Sequence, residues 1–286
     1  MSTIVRLKQG SPEWHEHRTK YCNASEAPAV MGVSPWQTPY ELWCLRTGRA
    51  ESKTTPAMAH GAALEGAARE AYERQTGLVM EPLVLVEGSY SASLDGITLE
   101  SDLILEIKCP YRGRDSELWK TVSTGVIPEH YGWQIEQQLM VSGAARAHLW
   151  VFAGGDGLML EAVPQPERWE ALRSAWEAFM RCVSSDTPPP LTERDTRTRE
   201  DAVWRAAAQA YIEAKRTADE AGARLEEAKA ALVGLASHPS ESGCGATVTR
   251  FWKRGAVDYR RVPELKGVDL EQYRKESREE FRVSAV

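Results

Sequence analysis

A mixed α/β (α+β) core, with a central sheet flanked by helices and followed by a C-terminal extension, is the fold class this sequence predicts. Three observations point to it. Helical patterns precede a cluster of short alternating apolar runs between residues 83 and 108. A helix, a hairpin and a further helix then follow between residues 130 and 183, so strands and helices share one core. Finally, residues 184–195 (SSDTPPPLTERD) form a proline-rich break, beyond which the chain turns polar and alanine-rich. The expected division is residues 1–185 and 186–286.

The composition fits a globular chain. Its 286 residues are 42% hydrophobic and 27% charged, long enough for a domain of about 200 residues plus an appendage. No apolar run is long enough to span a bilayer, and MSTIVRLKQG lacks the apolar core of a signal peptide, so a cytoplasmic location in a bacterial host cell, away from membranes, is expected. The five cysteines (22, 44, 109, 182 and 244) are odd in number and form no Cys-x-x-Cys pair, which speaks for reduced thiols and against a zinc or disulfide framework. The net charge of −6 does not advertise a nucleic-acid binder. An enzyme on DNA with this balance must concentrate its positive field in a groove or channel.

Taken in order, residues 11–31 begin with a Ser-Pro-Glu helix start, on which His15 and His17 are expected at the surface. A second start follows at 23–26 with Asn23 or Ser25 as cap. Ser25 and Arg18 either cradle a phosphate or are simply a cap and a solvated cation. Residues 39–47 form a short helix expected to pack through Trp36, Leu42, Trp43 and Leu45. Residues 57–75 are helical and closed by Gly77. Glu65 falls on the small-residue side of that helix and needs a partner, either Arg69 one turn on or a metal. Strands are expected at 83–88, 90–94, 96–100 and 103–108, with Asp95-Gly96 as a turn. Helices follow at 115–124 and 130–143, the latter carrying Gln134, Gln137 and Gln138. A hairpin over 144–153 and 157–163 precedes an amphipathic helix at 167–183.

In the extension, residues 197–236 read as one long helix or a helical hairpin broken near Gly222. A second hairpin is expected around Lys253-Arg254-Gly255, with a last helix near 263–276. There Arg250, Lys253, Arg254, Arg260 and Arg261 interleave with Phe251, Trp252 and Tyr259. That pattern suits nucleic acid as well as it suits a solvated hairpin.

The chemistry concentrates at residues 91–110 (SASLDGITLESDLILEIKCP), which carry Asp-x10-Glu-x-Lys over Asp95, Glu106 and Lys108. Alternation along a strand turns Glu106 and Lys108 to one side and Ile107 to the core. Two carboxylates and an ammonium at a strand end suit a divalent ion and a water, and hence phosphodiester hydrolysis. The other reading is a weak ion pair on an exposed strand face.

Six motifs occur together in one order: Trp14-His15…Arg18, Ala24-Ser25-Glu26, Gly61-x3-Glu65, Ser93-Leu94-Asp95-Gly96, Glu106-Ile107-Lys108-Cys109-Pro110 and Gln134-x3-Gln138. Over roughly residues 10–183 the chain thereby resembles the YqaJ-type viral recombinase family, the phage lambda exonuclease branch of the PD-(D/E)XK nucleases. The resemblance implies a restriction-endonuclease-like core. It also implies a Mg²⁺-dependent 5′→3′ exonuclease that trims linear double-stranded DNA to a 3′ single strand for recombination. Asp95, Glu106 and the carbonyl of Ile107 would hold metal, Lys108 would position water, and Glu65 would serve a second ion; Mn²⁺ would substitute. Arg18, Ser25, Ser93 and Gln134 would meet the 5′-phosphate. The chain departs from the pattern at one acid on the strand before Ser93, where the nearest carboxylate is Glu87. A homotrimer and a single-strand annealing protein are the implied partners. The rivals are a restriction-like or branch-cutting endonuclease and a catalytically silent DNA-end clamp.

Overall fold

The computed structural model describes residues 2–7 and 9–252, together with 262, 263 and 268. The chain divides into two compact units, residues 1–197 and 198–286.

Strand β1 (Thr3–Val5) precedes helix α1 (Pro12–Lys20), which starts where the Ser11 side chain accepts from Trp14 N and Pro12 occupies the first turn. Strand β2 (Cys22–Asn23) runs into a tight turn and α2 (Ala27–Val30). A Thr38–Glu41 capping box opens α3 (Pro39–Arg46), and α4 (Pro56–Thr76) is closed by Gly77 at φ 73°. Then come β3 (Glu81–Glu87), β4 (Tyr90–Ile97), β5 (Leu103–Lys108), α5 (Glu117–Ser123), α6 (Glu129–Ser142), β6 (Arg146–Ala153), β7 (Asp156–Ala162) and α7 (Pro166–Ser184).

The seven strands form one mixed sheet in the order β1-β3-β4-β5-β6-β7, with β2 parallel to β4. Only a crossover can join the parallel pair β5–β6, and α5 with α6 supplies it. Alternation along β5 sorts the two faces. Ile104 joins a core with α2, α3, α6 and α7, whereas Leu105 and Ile107 join α4 through Ala68 and Tyr72. The helix-flanked mixed sheet expected from the sequence is therefore what forms.

On the α4 side the buried Trp150 donates from Nε1 to the Ala68 carbonyl at 3.0 Å. Gly157 of β7 lies against it so closely that a Cβ would sit 2.0 Å from the indole ring. Gly157→Ala therefore forces a fully packed ring to move. Its expected cost is about 1–3 kcal/mol, read as a lowered urea midpoint at unchanged slope.

Several local expectations are corrected. Asp95-Gly96 is no turn: both lie inside β4, and the chain turns later, at Ser101 (φ 58°). Gly96 is there for close approach, since a Cβ would meet Met80 Cβ at 2.6 Å. Asn23 stands at the N-cap position of the turn Ala24–Glu26 that leads into α2, but its side chain makes no capping bond, and Ser25 lies inside the turn. The Asn23 amide instead donates to the Arg18 and Tyr21 carbonyls that α1 leaves open. His17 is buried and bonded to Ser91 Oγ at 3.0 Å, while Trp36, expected in the core, is 67% exposed. Residues 186–197 pack with the first unit: Asp195 accepts from Thr38 Oγ1 at 2.6 Å, and Arg194 donates to the carbonyls of Ser34 and Pro35.

In the second unit α8 (Ala202–Leu235) is one uninterrupted helix through Gly222, capped by Asp201. Its hairpin is β8 (Ser240–Gly243) with β9 (Ala246–Thr249), joined across Cys244-Gly245, and the hairpin expected around residues 253–255 lies outside the described residues. Lys253, Arg254, Tyr259, Arg260, Arg261 and most of the expected last helix lie outside the described residues.

Candidate active site

The site forms where β4 and β5 part. Their ladder pairs Gly96 with Leu105 and Ile97 with Ile104, a register that sets Asp95 across from Glu106. At that step the Ile107 N–H turns to the Asp95 side chain, donating to Oδ2 at 2.7 Å. Two carboxylates thus face each other at the end of a ladder.

Glu106 is only 2% exposed, which rules out the surface ion pair. Its Oε1 accepts from Lys108 Nζ and from Gln134 Nε2 (2.7 Å), and its Oε2 accepts from Gln138 Nε2 (2.5 Å). Gln134 and Gln138 are one helical turn apart on α6, and Tyr131 on the preceding turn sets its ring 5.0 Å from Lys108 Nζ. Gln137 faces elsewhere, donating to the Cys22 carbonyl and accepting from Trp176. Glu65 bonds Arg69 at 2.7 Å, and Arg69 Nε donates to the Asp95 carbonyl at 2.7 Å, so α4 grips the β4 main chain at the site. Glu87 pairs with Tyr90 at the far end of the β3–β4 hairpin, away from Asp95.

The charges are strongly coupled. Burial, then the nearby Glu106 and Glu65, push the Asp95 carboxyl well above its ordinary range, against the pull of Lys108 and the Ile107 N–H. Burial works against the Lys108 ammonium, but Glu106, Tyr131 and Asp95 outweigh it and hold the lysine above its usual value. The lysine therefore stays charged at any physiological pH.

The donor set tests the implied ion. Asp95, Glu106 and the Ile107 carbonyl are hard oxygens of the kind Mg²⁺ takes. A buried carboxyl with a raised pKa beside a second one is the electrostatic situation that a divalent cation relieves. Gln138 Oε1, next to Glu106, is buried with no partner among the described residues. These features fit one ion completed by backbone and water oxygens. No group of three or more His, Cys, Asp or Glu side chains converges among the described residues, and Glu65, implied for a second ion, is engaged by Arg69.

The implied phosphate-binding residues are brought to the same region. Arg18 donates to Ser25 Oγ at 3.0 Å and stacks 4.7 Å from the Trp14 ring, whose Nε1 donates to Ser93 Oγ at 2.9 Å. Ser93 lies two residues before Asp95 on β4, just ahead of a register shift in the β3–β4 ladder. Gln134 is tied to Glu106 itself. The missed residues support this framework. Glu26 is shared by Arg18, Arg46 and Asn23, and it stood in plain sight in the Ala24-Ser25-Glu26 motif. Nothing local in the sequence signals Arg46 or Tyr131 as partners.

Residues 13–145 match the model of the YqaJ-like viral recombinase domain family. The uncharacterized protein YqaJ of Bacillus subtilis strain 168 is 27% identical over 165 residues, which cover 54% of this chain and 50% of that one, so this chain spans about half the length of that relative. Among solved structures, the alkaline exonuclease LHK-Exo from Laribacter hongkongensis is similar at 21% identity and a TM-score of 0.53. The match covers 62% of this chain and 94% of that one. LHK-Exo in complex with dAMP is similar at 22% identity, with the same TM-score of 0.53 and the same coverage. At that identity the likeness is one of fold.

Proposed function

From the premise that residues 13–145 carry a YqaJ-like viral recombinase domain, we propose that this protein is a Mg²⁺-dependent exonuclease. It would degrade the 5′-ended strand of linear double-stranded DNA and leave a 3′ single strand. The observation that carries this reading is the facing of Asp95 and Glu106 at the parted β4–β5 ladder, with a charged Lys108 bonded to Glu106.

In this reading Asp95, Glu106 and the Ile107 carbonyl would hold the ion. When bound, Mg²⁺ supplies a Lewis acid to the phosphodiester and lowers the pKa of water. Lys108 holds the attacking water and stabilises negative charge as it builds on the phosphate oxygens. Water oxygen bonds to phosphorus, the bond to the 3′ oxygen of the terminal nucleotide breaks, and that oxygen takes a proton. A 5′-mononucleotide leaves, and the shortened strand carries a new 5′-phosphate. Gln134 and Gln138 keep the Glu106 oxygens aimed without adding charge, and Arg69 anchors the Asp95 backbone.

Arg18, Ser25 and Ser93, linked through Trp14, offer a guanidinium and two hydroxyls to a terminal phosphate, and Gln134 joins them from α6; this supports a start at a 5′ end. The resemblance extends the proposal to a homotrimer around DNA and to a single-strand annealing partner. A ring would concentrate the positive field that a net charge of −6 conceals.

The test is digestion of 5′-phosphorylated linear duplex with and without Mg²⁺, against closed-circular DNA. Mononucleotide release from the linear substrate alone, dependent on Mg²⁺ and supported by Mn²⁺, is the expected result. Nicking of the circle would replace this reading with an endonuclease; binding of ends without cleavage would leave the silent clamp.

A further inference from the structure

An aromatic side chain stands open to solvent beside the site. Trp36 is 67% exposed, yet it is not a loose surface residue. Buried Ser34 turns the loop beneath it, its Oγ accepting from Trp36 N (3.3 Å) and Gln37 N (3.2 Å). Arg194 clamps the Ser34 and Pro35 carbonyls, and Thr38, just beyond, is held by Asp195. The loop is thus fixed on both sides of the indole.

Behind the indole lies a run of rings leading inward. Trp36 meets His130 edge-on with centroids 4.9 Å apart, and the Tyr131 ring at 5.9 Å; His130 and Tyr131 are 4.2 Å apart. The Tyr131 ring is the one against Lys108. An isolated exposed tryptophan needs no explanation. One whose loop is held by two hydrogen bonds to Ser34 Oγ and two from Arg194, and whose ring leads through Tyr131 to the catalytic lysine, is placed at the rim of the site. Every nucleobase has a complementary π-face, and stacking on it is tolerant of sequence, as a nuclease of general specificity requires.

We propose that Trp36, backed by His130 and Tyr131, is a stacking platform for a nucleobase of the strand whose phosphodiester reaches Asp95, Glu106 and Lys108. This deepens the nuclease reading and rests on it. The platform holds the base while Arg18 and its neighbours hold the phosphate, so that the scissile bond is presented at a fixed depth.

The experiment compares the full-length protein with Trp36→Ala and Trp36→Phe on 5′-phosphorylated linear duplexes. One set carries all its bases; a second carries an abasic nucleotide at one of the first three positions from the 5′ end. Hydrolysis of bis(p-nitrophenyl) phosphate, which has no base, is followed in parallel. Trp36→Ala is expected to raise KM for complete duplex about tenfold with kcat held. Trp36→Phe should recover most of that loss, and bis(p-nitrophenyl) phosphate should be hydrolysed as by the parent. At one abasic position the parent should fall to the level of Trp36→Ala, and the variant should be indifferent there. An unchanged KM in Trp36→Ala, or an equal loss on the baseless substrate, overturns the platform while leaving the nuclease intact. A parent protein that cleaves no linear duplex overturns the nuclease reading and the platform with it.

Discussion

Asp95→Asn is expected to abolish activity and at the same time to make the ion-free protein more stable. The loss of hydrolysis should exceed ~100-fold, the size of effect that changes around a metal's outer shell alone produce. The gain in stability follows from the sign of the Asp95 shift. Burial and Glu106 raise its folded value above the unfolded one of about 3.9. The folded state therefore binds the Asp95 proton more tightly than the unfolded chain does. Stability from this group is full below the unfolded value and is lost as pH rises through the folded one. An amide in its place keeps the hydrogen bond from Ile107 N available and carries no charge.

Thermal unfolding of the first unit measured from pH 4 to pH 9 without divalent ions should show coincident midpoints near pH 4. A gap favouring the variant should widen upwards, each kcal/mol being worth about 2–4 °C. Adding Mg²⁺ should raise the parent midpoint and not the variant's. A variant less stable than the parent at neutral pH would refute the electrostatic account.

Lys108→Ala should also remove activity, on the order of a thousandfold, but with the opposite effect on stability. It leaves Glu106, 2% exposed, with two neutral amides and no cation. Removing one partner of a buried ion pair costs about 3–5 kcal/mol, because the remaining charge is uncompensated. The urea midpoint should fall accordingly. The double variant Lys108→Ala/Glu106→Gln should regain much of the stability and none of the activity. If the single change were neutral, the Lys108–Glu106 bond would hold little energy, and the raised state of the lysine would need another cause.

What could be read from the sequence follows the range of the signal. Glu106 and Lys108 share a face because a strand repeats every two residues, and this local rule placed them correctly. Asp95-Gly96 carries one of the strongest short-range turn signals. That signal was overruled by Met80, whose approach from outside the strand is what demands a glycine. Helical spacing put Gln134 and Gln138 on one side of α6, but only the β5–β6 crossover brings them to Glu106. Strands β1 and β2, of three and two residues, are too short to show any period. Trp36 reads as a core residue beside the apolar face of α3; the Arg194 and Asp195 contacts that hold its loop come from about 160 positions away, beyond any local signal.

That last dependence has a consequence for how the protein is made. Every side chain of the proposed centre lies before residue 140, whereas the clamp on the Trp36 loop lies at 194 and 195. On the ribosome the carboxylates and the lysine emerge first, and the rim is locked only when Arg194, 160 positions after Ser34, has left the exit tunnel. A chain ended at residue 185, the proline-rich break, would keep the centre but lack the lock. One ended at 197 would have both. The shorter chain should still hydrolyse a small phosphodiester yet handle duplex ends poorly, so on the proposed reading competence toward long DNA is expected to arrive as a late and separate event.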